Sequence, residues 1–198
     1  MPDAQRSPAR AVVVPHDPAW AVAAASIAGE LLAALAPLAL RVEHIGSTAI
    51  PGMAAKPVLD LQASVEDLDE AARAFDGPLA ERGFHRLPYQ DDHVPAGRSP
   101  DPAGWEKRLW ARRGHPDGDV NLHVRRRGAA NERVALLFRD WFRAHPEAVA
   151  SYARFKRVLA GTVDDIGSYT DVKDPVVDLV IAVAEPWAAA TGWSQASP

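Results

Sequence analysis

The chain has 198 residues, a formal net charge of −4 and no cysteine. That length suits one domain whose core needs no covalent staple. Without cysteine, disulfides, thiolate metal sites and a thiol nucleophile are excluded, which agrees with a reducing, cytoplasmic setting. The negative balance excludes a global bias toward nucleic acid.

No apolar run approaches the roughly 20 residues that a membrane helix requires. The opening Met1-Pro2-Asp3-Ala4-Gln5-Arg6 lacks the apolar stretch of a secretory leader. Residues 1–10 are polar and expected to fray. Ala11 to Val14 is a short β-branched run ended by Pro15, read as an edge strand or an extended lead-in. Asp17-Pro18 opens a helix, with Asp as cap and Pro in the first turn, that runs from Ala19 to about Ala36. Arg41 to Ile45 alternates and predicts a strand.

The run 46–57 holds two glycines, two prolines and two hydroxyls, so it predicts a structured loop with room for one helical turn. Val58 to Val65 predicts a second strand, and Asp67 to about Gly83 a helix interrupted near Gly77-Pro78. Phe84 to Tyr89 is a further strand candidate. Residues 90–104 form a polar loop long enough to be either functional or mobile. Strands follow at Glu106 to Arg112 and Val120 to Arg126, separated by the turn Pro116-Asp117-Gly118-Asp119.

The last third is helical. Asn131 to His145 puts Val134, Leu137, Phe138, Trp141 and Phe142 on one face. Pro146 to Ala160 continues as a second helix, and Thr170 to Ala190 as a third that begins near Asp174-Pro175. Residues 191–198 are left as a tail. The order gives one α+β (α/β) domain over 11–190, a mixed sheet with flanking helices.

One constellation carries chemistry. A strand ends at Ile45 and feeds Gly46-Ser47-Thr48; a dozen residues on, the next strand presents Asp60 and Gln62 on one face, because side chains two apart share a face. Gly46 lets backbone approach a ligand closely, and a helical turn starting there would offer N–H groups to a phosphate. A carboxylate facing that turn suits a divalent cation bridging to the same phosphate.

The run from Glu43 to Leu61 resembles the signature of the GrpB family. Asn121-Leu122-His123-Val124 is similar to that family's strand motif, and Leu137 to Pro146 to its helix motif, followed by Tyr152 and Lys156. Tyr169 and Lys173 match its last segment, and Val14 to Trp20 its opening, so the resemblance spans roughly 11–190. The family in turn resembles nucleotidyltransferases and occurs alone or fused to dephospho-CoA kinases. The resemblance implies metal-dependent transfer of a nucleoside monophosphate, with Gly46 and Ser47 on the triphosphate and Asp60 on Mg²⁺ or Mn²⁺.

The match departs from active nucleotidyltransferases where a second and third acid would stand: Gln62 and His123, with Asn121 on the same face, occupy those places. One carboxylate offsets little of the charge of two metal ions, so the pattern argues against two-metal catalysis. Asp60 and Gln62 remain the candidate metal ligands. His123 reads as a ligand, which would shift the preference toward Mn²⁺ or Zn²⁺, as a general base, or as a hydrogen-bonded structural residue.

Lys56 lies between the turn and Asp60, suiting a phosphate contact or a salt bridge to Asp60. Arg139 and Arg143, four apart on one helix, have the spacing of an anion clamp. Lys156 and Lys173 complete the candidate ligand cations. Tyr152 shares a face with Lys156, where it can stack on a base or pack in the core.

Arg125-Arg126-Arg127 with Arg112-Arg113 makes a basic patch, yet without interleaved aromatics it points away from nucleic acid. Three functions follow as expectations: a transferase using a nucleoside triphosphate, a module that binds a nucleotide or CoA-like ligand without catalysis, and a biosynthetic enzyme with His123 as base.

Overall fold

In the computed structural model, residues 10–195 are described. The frayed segment expected over 1–10 lies, Arg10 excepted, outside them, as does the end of the 191–198 tail.

Among the described residues, the alternating segments form five strands, β1 (Arg41–Ile45), β2 (Val58–Val65), β3 (His85–Leu87), β4 (Lys107–Arg112) and β5 (Asp119–Arg126). The sheet order is β1-β2-β5-β4-β3. Only the central β2–β5 pair is parallel; β1–β2, β4–β5 and β3–β4 are antiparallel. The sheet is therefore mixed, as the order of elements leads one to expect. Helices α1 (Ala19–Leu35) and α2 (Leu68–Ala80) cover one face. Leu59, Leu61, Ala63 and Val65 of β2, with Val120, Leu122 and Val124 of β5, meet Ile27, Leu31, Phe75 and Leu79 there in the main core.

Strand alternation turns Asp60, Gln62, Asn121, His123 and Arg125 to the opposite face, toward α3 (Ala130–Ala144), α4 (Pro146–Thr162) and α5 (Ile166–Thr191). A second core, with Ile50, Met53, Phe138, Phe142, Tyr152 and Ile181, fastens those helices to the loop after β1. No helix among the described residues is long and apolar enough to cross a membrane.

Several boundaries differ from the sequence expectations. Val14 makes one bridge, to Ala55, so of the two expectations for the apolar lead-in the extended segment holds and the edge strand does not. Helix α2 runs unbroken through Gly77-Pro78, because the proline lies two residues from its end and the Arg82 guanidinium donates to the Pro78 carbonyl at 2.7 Å.

Helix α5 begins at Ile166, not near Asp174. Asp165 caps it, accepting from the Ser168 N–H at 2.9 Å, and the helix passes through both Pro175 and Pro186. It ends at Gly192, in the left-handed conformation with φ 66°. Trp193 then folds back, donating from Nε1 to Asp140 at 3.1 Å, so the tail is pinned at that point.

Candidate functional site

The polar face of the sheet and the three C-terminal helices enclose a cavity of about 590 Å³. Gly46, Ser47, Thr48, Lys56, Asp60, Asn121, His123, Lys156 and Lys173 line it. These nine residues are ones that the sequence reading singled out, and they come from segments far apart in the chain.

The parallel register of β2 on β5 sets Asp60 opposite Asn121 and Gln62 opposite His123. Asn121 donates its amide to Asp60 Oδ1 at 2.8 Å, and His123 Nε2 lies 3.7 Å from the same oxygen. The Arg113 guanidinium donates to Asn121 Oδ1, which fixes which way that amide points. Burial raises the Asp60 carboxyl, but the bond and charge of His123, the Asn121 amide and the charge of Lys56 outweigh it and hold it down at about 2. His123 is lowered, by burial first and by the Arg125 and Lys107 charges next, against the pull of Asp60. The pair is therefore a carboxylate beside a neutral imidazole at neutral pH.

Gly46 is needed where it stands. Its φ is 69°, and a Cβ there would lie 2.7 Å from Asp60 Oδ2. Residues Ser47–Ala49 form one 3₁₀ turn, closed by Ala49 N–H donating to the Gly46 carbonyl at 3.3 Å. The single helical turn for which the loop left room is thus present as a 3₁₀ turn, too short to present a helix dipole to a phosphate. Thr48 Oγ1 pairs with His44 Nε2 at 2.9 Å. Burial foremost holds His44 at about 4, with Arg143 and Arg139 adding to it against Asp60.

Three ammonium groups converge on the cavity. Lys56 sits over the Tyr169 ring at 5.6 Å, and no ion pair joins it to Asp60. Lys173 reaches Asp174 at 3.4 Å. Lys156 is 2% exposed, lies 5.1 Å from the Tyr152 ring centre, and has no hydrogen-bond partner for its Nζ among the described residues. Burial, then the Lys173 charge, brings it down to about 7; Asp60 opposes this and Lys56 adds to it. Tyr152, Tyr169, Phe138 and Trp105 supply the cavity's aromatic walls.

Three expected ligand contacts are placed elsewhere. Gln62 is fully buried and off the cavity wall; its carbonyl accepts from Arg125 and its amide donates to the Glu132 carbonyl at 3.4 Å, so it has no oxygen to offer a metal. Arg139 and Arg143 do share a helical face, but that face looks toward β1 and the back of the turn. Arg139 binds Asp140 at 2.7 Å, Glu43 at 3.3 Å and the His44 carbonyl at 3.1 Å. Arg143 donates twice to the Ala49 carbonyl, at 2.9 and 3.0 Å. They brace the 46–49 turn from behind instead of clamping a ligand.

Sequence reasoning missed Asp92. It comes from the long 90–104 loop and lines the cavity while accepting from Lys107 at 2.7 Å, Arg125 at 2.8 Å and Asn131 at 3.0 Å. Burial opposes its ionisation, but Arg125 and Lys107 hold it far below the usual carboxylate range. The only signal was the loop's length. The same loop is tied to α5 by His93 on Asp178 at 2.9 Å and by Arg98 on Glu185. No cluster of three or more His, Asp or Glu side chains suited to a metal occurs among the described residues.

The model of the family described as GrpB protein matches residues 10–182. A protein named dephospho-CoA kinase from Mycolicibacterium paratuberculosis is 40% identical over 95% of this chain and 49% of its own length. The protein BH1888 of Halalkalibacterium halodurans is 33% identical over 84% of this chain and 78% of its own. The chain thus spans about half the length of the kinase-named relatives. The crystal structure of the conserved protein GrpB from Enterococcus faecalis aligns with a TM-score of 0.72 and 26% identity, covering 89% of this chain and 99% of that one.

Proposed function

The chain belongs to the GrpB family, and we propose that its cavity binds a nucleoside triphosphate, holds the phosphates on Lys56, Lys156 and Lys173, and serves nucleotidyl transfer. The observation that carries this reading is Lys156: a buried ammonium without a hydrogen-bond partner among the described residues, beside two more cations. Burying charge without compensation costs several kcal/mol, and a polyanion in the cavity supplies the compensation. The 590 Å³ volume falls in the range of small-molecule sites, and the tyrosines at the wall offer flat faces to a base.

The residues do not fit a resident pair of metal ions. Among the described residues, four carboxylates line the cavity; Asp92 is held by Lys107 and Arg125, Asp119 lies 4.0 Å from Arg113 and Asp174 3.4 Å from Lys173, which leaves Asp60 without a lysine or arginine in direct contact. A divalent cation reaching the site would arrive on the triphosphate, and the lysines carry the phosphate charge in either case.

A second reading has its own support. Gln62 locked away from the cavity leaves the site short of metal ligands, which favours a module that binds a nucleotide or a CoA-like molecule without turning it over. Dephospho-CoA, suggested by the names of the half-matching relatives, belongs in the test for that reason.

The experiment is thermal melting with each nucleoside triphosphate, CoA and dephospho-CoA, with and without Mg²⁺. A ligand at 100 times its Kd stabilises by about 2.7 kcal/mol, a readily measured rise in Tm. A rise with a triphosphate supports the transferase reading. A metal-independent rise confined to CoA-like ligands supports the binding module, and no rise with any phosphate compound overturns both.

A further inference from the structure

The chain carries 22 basic residues, of which only four are lysine: Lys56, Lys107, Lys156 and Lys173. Three of those four line one cavity, and the fourth, Lys107, bonds the cavity residue Asp92. The rest of the positive charge is arginine, of which Arg113 and Arg125 also line the cavity, bonded to Asn121 and Asp92. Phosphate binding alone does not explain this, because arginine grips phosphate with a bidentate fork at least as well. What lysine offers and arginine does not is a nitrogen that can lose its proton and act as a nucleophile.

Lys156 is the lysine placed for that role. It is 2% exposed, its Nζ is free of protein hydrogen bonds among the described residues, and it stands at the cavity wall. The charged and titratable groups facing it are Lys173 from α5, Lys56 from the loop before β2, Asp60 from β2 and Tyr152 from its own helix. Of these Lys173 is already paired with Asp174, and the Lys56 ammonium rests on Tyr169. Two neighbouring cations and burial against an aromatic ring are the conditions that free a lysine amine near neutral pH.

We propose that Lys156 is the nucleophile that takes up the nucleoside monophosphate group, forming a covalent nucleotidyl-lysine. The inference rests on the triphosphate-binding reading above. The lone pair of Nζ attacks the α-phosphorus, and an N–P bond forms. The bond from that phosphorus to the oxygen bridging to the β-phosphate breaks, and pyrophosphate leaves with the electron pair. One Nζ proton passes to solvent, and no oxidant or reductant is involved. Lys56 and Lys173 stabilise the charge gathering on the pyrophosphate. The step supplies a covalent acceptor in a site where Gln62 and His123 stand in the places of a second and third acid.

The test uses the full chain with Mg²⁺ and, in turn, each of the four ribonucleoside triphosphates labelled at the α-phosphate. Label stable to alkali and lost in acid, mapped by mass spectrometry to Lys156, is the expected result, with a rate that climbs between pH 6 and 8 as the amine, held at about 7, sheds its proton. Lys156→Arg abolishes the label. Mapping in the unmodified chain keeps the test valid should that variant misfold. Calorimetry with α,β-methylene analogues of the same nucleotides runs alongside. Analogue binding without any label overturns the covalent step and leaves the binding reading standing. Label on another residue also overturns the step. Absence of both binding and label overturns the two together.

Discussion

Replacing Lys156 by Met should stabilise the protein, and by an amount that depends on pH. Met keeps most of the apolar stem and removes the amine. In the unfolded chain Lys156 holds its proton up to about 10.5, whereas in the fold burial and the Lys173 charge bring that down to about 7. The unfolded state therefore binds more protons between those values, and stability rises with pH across that window. At about 1.4 kcal/mol per pH unit, the difference amounts to roughly 5 kcal/mol at and below pH 7. The gain from Lys156→Met should be near that size at pH 6.5 and shrink to about 1–2 kcal/mol at pH 9.5. Urea denaturation of both proteins in a phosphate-free buffer reads it directly. Pyrophosphate should narrow the gap at pH 6.5 by stabilising the parent chain more than the variant, which keeps Lys56 and Lys173 but lacks the third cation. A gain equal at both pH values, or a loss at pH 6.5, refutes the reasoning that an uncompensated ammonium is buried there.

Gly46→Ala forces a Cβ against Asp60 Oδ2 at a positive φ; it should cost about 1–2 kcal/mol of stability and weaken triphosphate binding, read by denaturation and calorimetry. Asp60, held at about 2 against an ordinary 3.8, contributes stability that is present above pH 3.8 and lost as pH falls toward 2. Asp60→Asn should therefore flatten the acid limb of the stability curve over that window by about 2 kcal/mol, measured by Tm against pH. Arg143→Ala removes two bonds to the Ala49 carbonyl and should cost about 1–2 kcal/mol. Its nucleotide affinity should fall less than that of Lys173→Ala, because Arg143 supports the turn from outside the cavity.

The sequence was most informative where spacing alone fixes geometry. Strand alternation put Asp60, Asn121 and His123 on one face, and the register of β2 on β5 makes them neighbours. Gln62 shares the alternation of Asp60, yet its environment depends on Arg125, Asp92 and Glu132, partners far away in the chain. Strand periodicity tells which face a side chain takes, not whether a distant guanidinium seals it in. Arg139 and Arg143 teach the same point for helices: four-residue spacing shows that they act together, while the packing of α3 against β1 decides on what.

Helix α5 shows where local signals mislead. Asp174-Pro175 reads as a start, but Asp165 caps the helix earlier, and Pro175 stands inside a helix whose buried Tyr169 and Ile181, on either side of it, pack into the cores. Asp92 was invisible because nothing within a 15-residue polar loop marks which acid turns inward.

The most direct test is a crystal structure of the protein with a non-hydrolysable nucleoside triphosphate. The account predicts phosphate density among Lys56, Lys156 and Lys173, with the base against the tyrosine wall. Triphosphate bound instead in the groove between α1 and Arg139 and Arg143, with the lysine cavity left without phosphate, would contradict it.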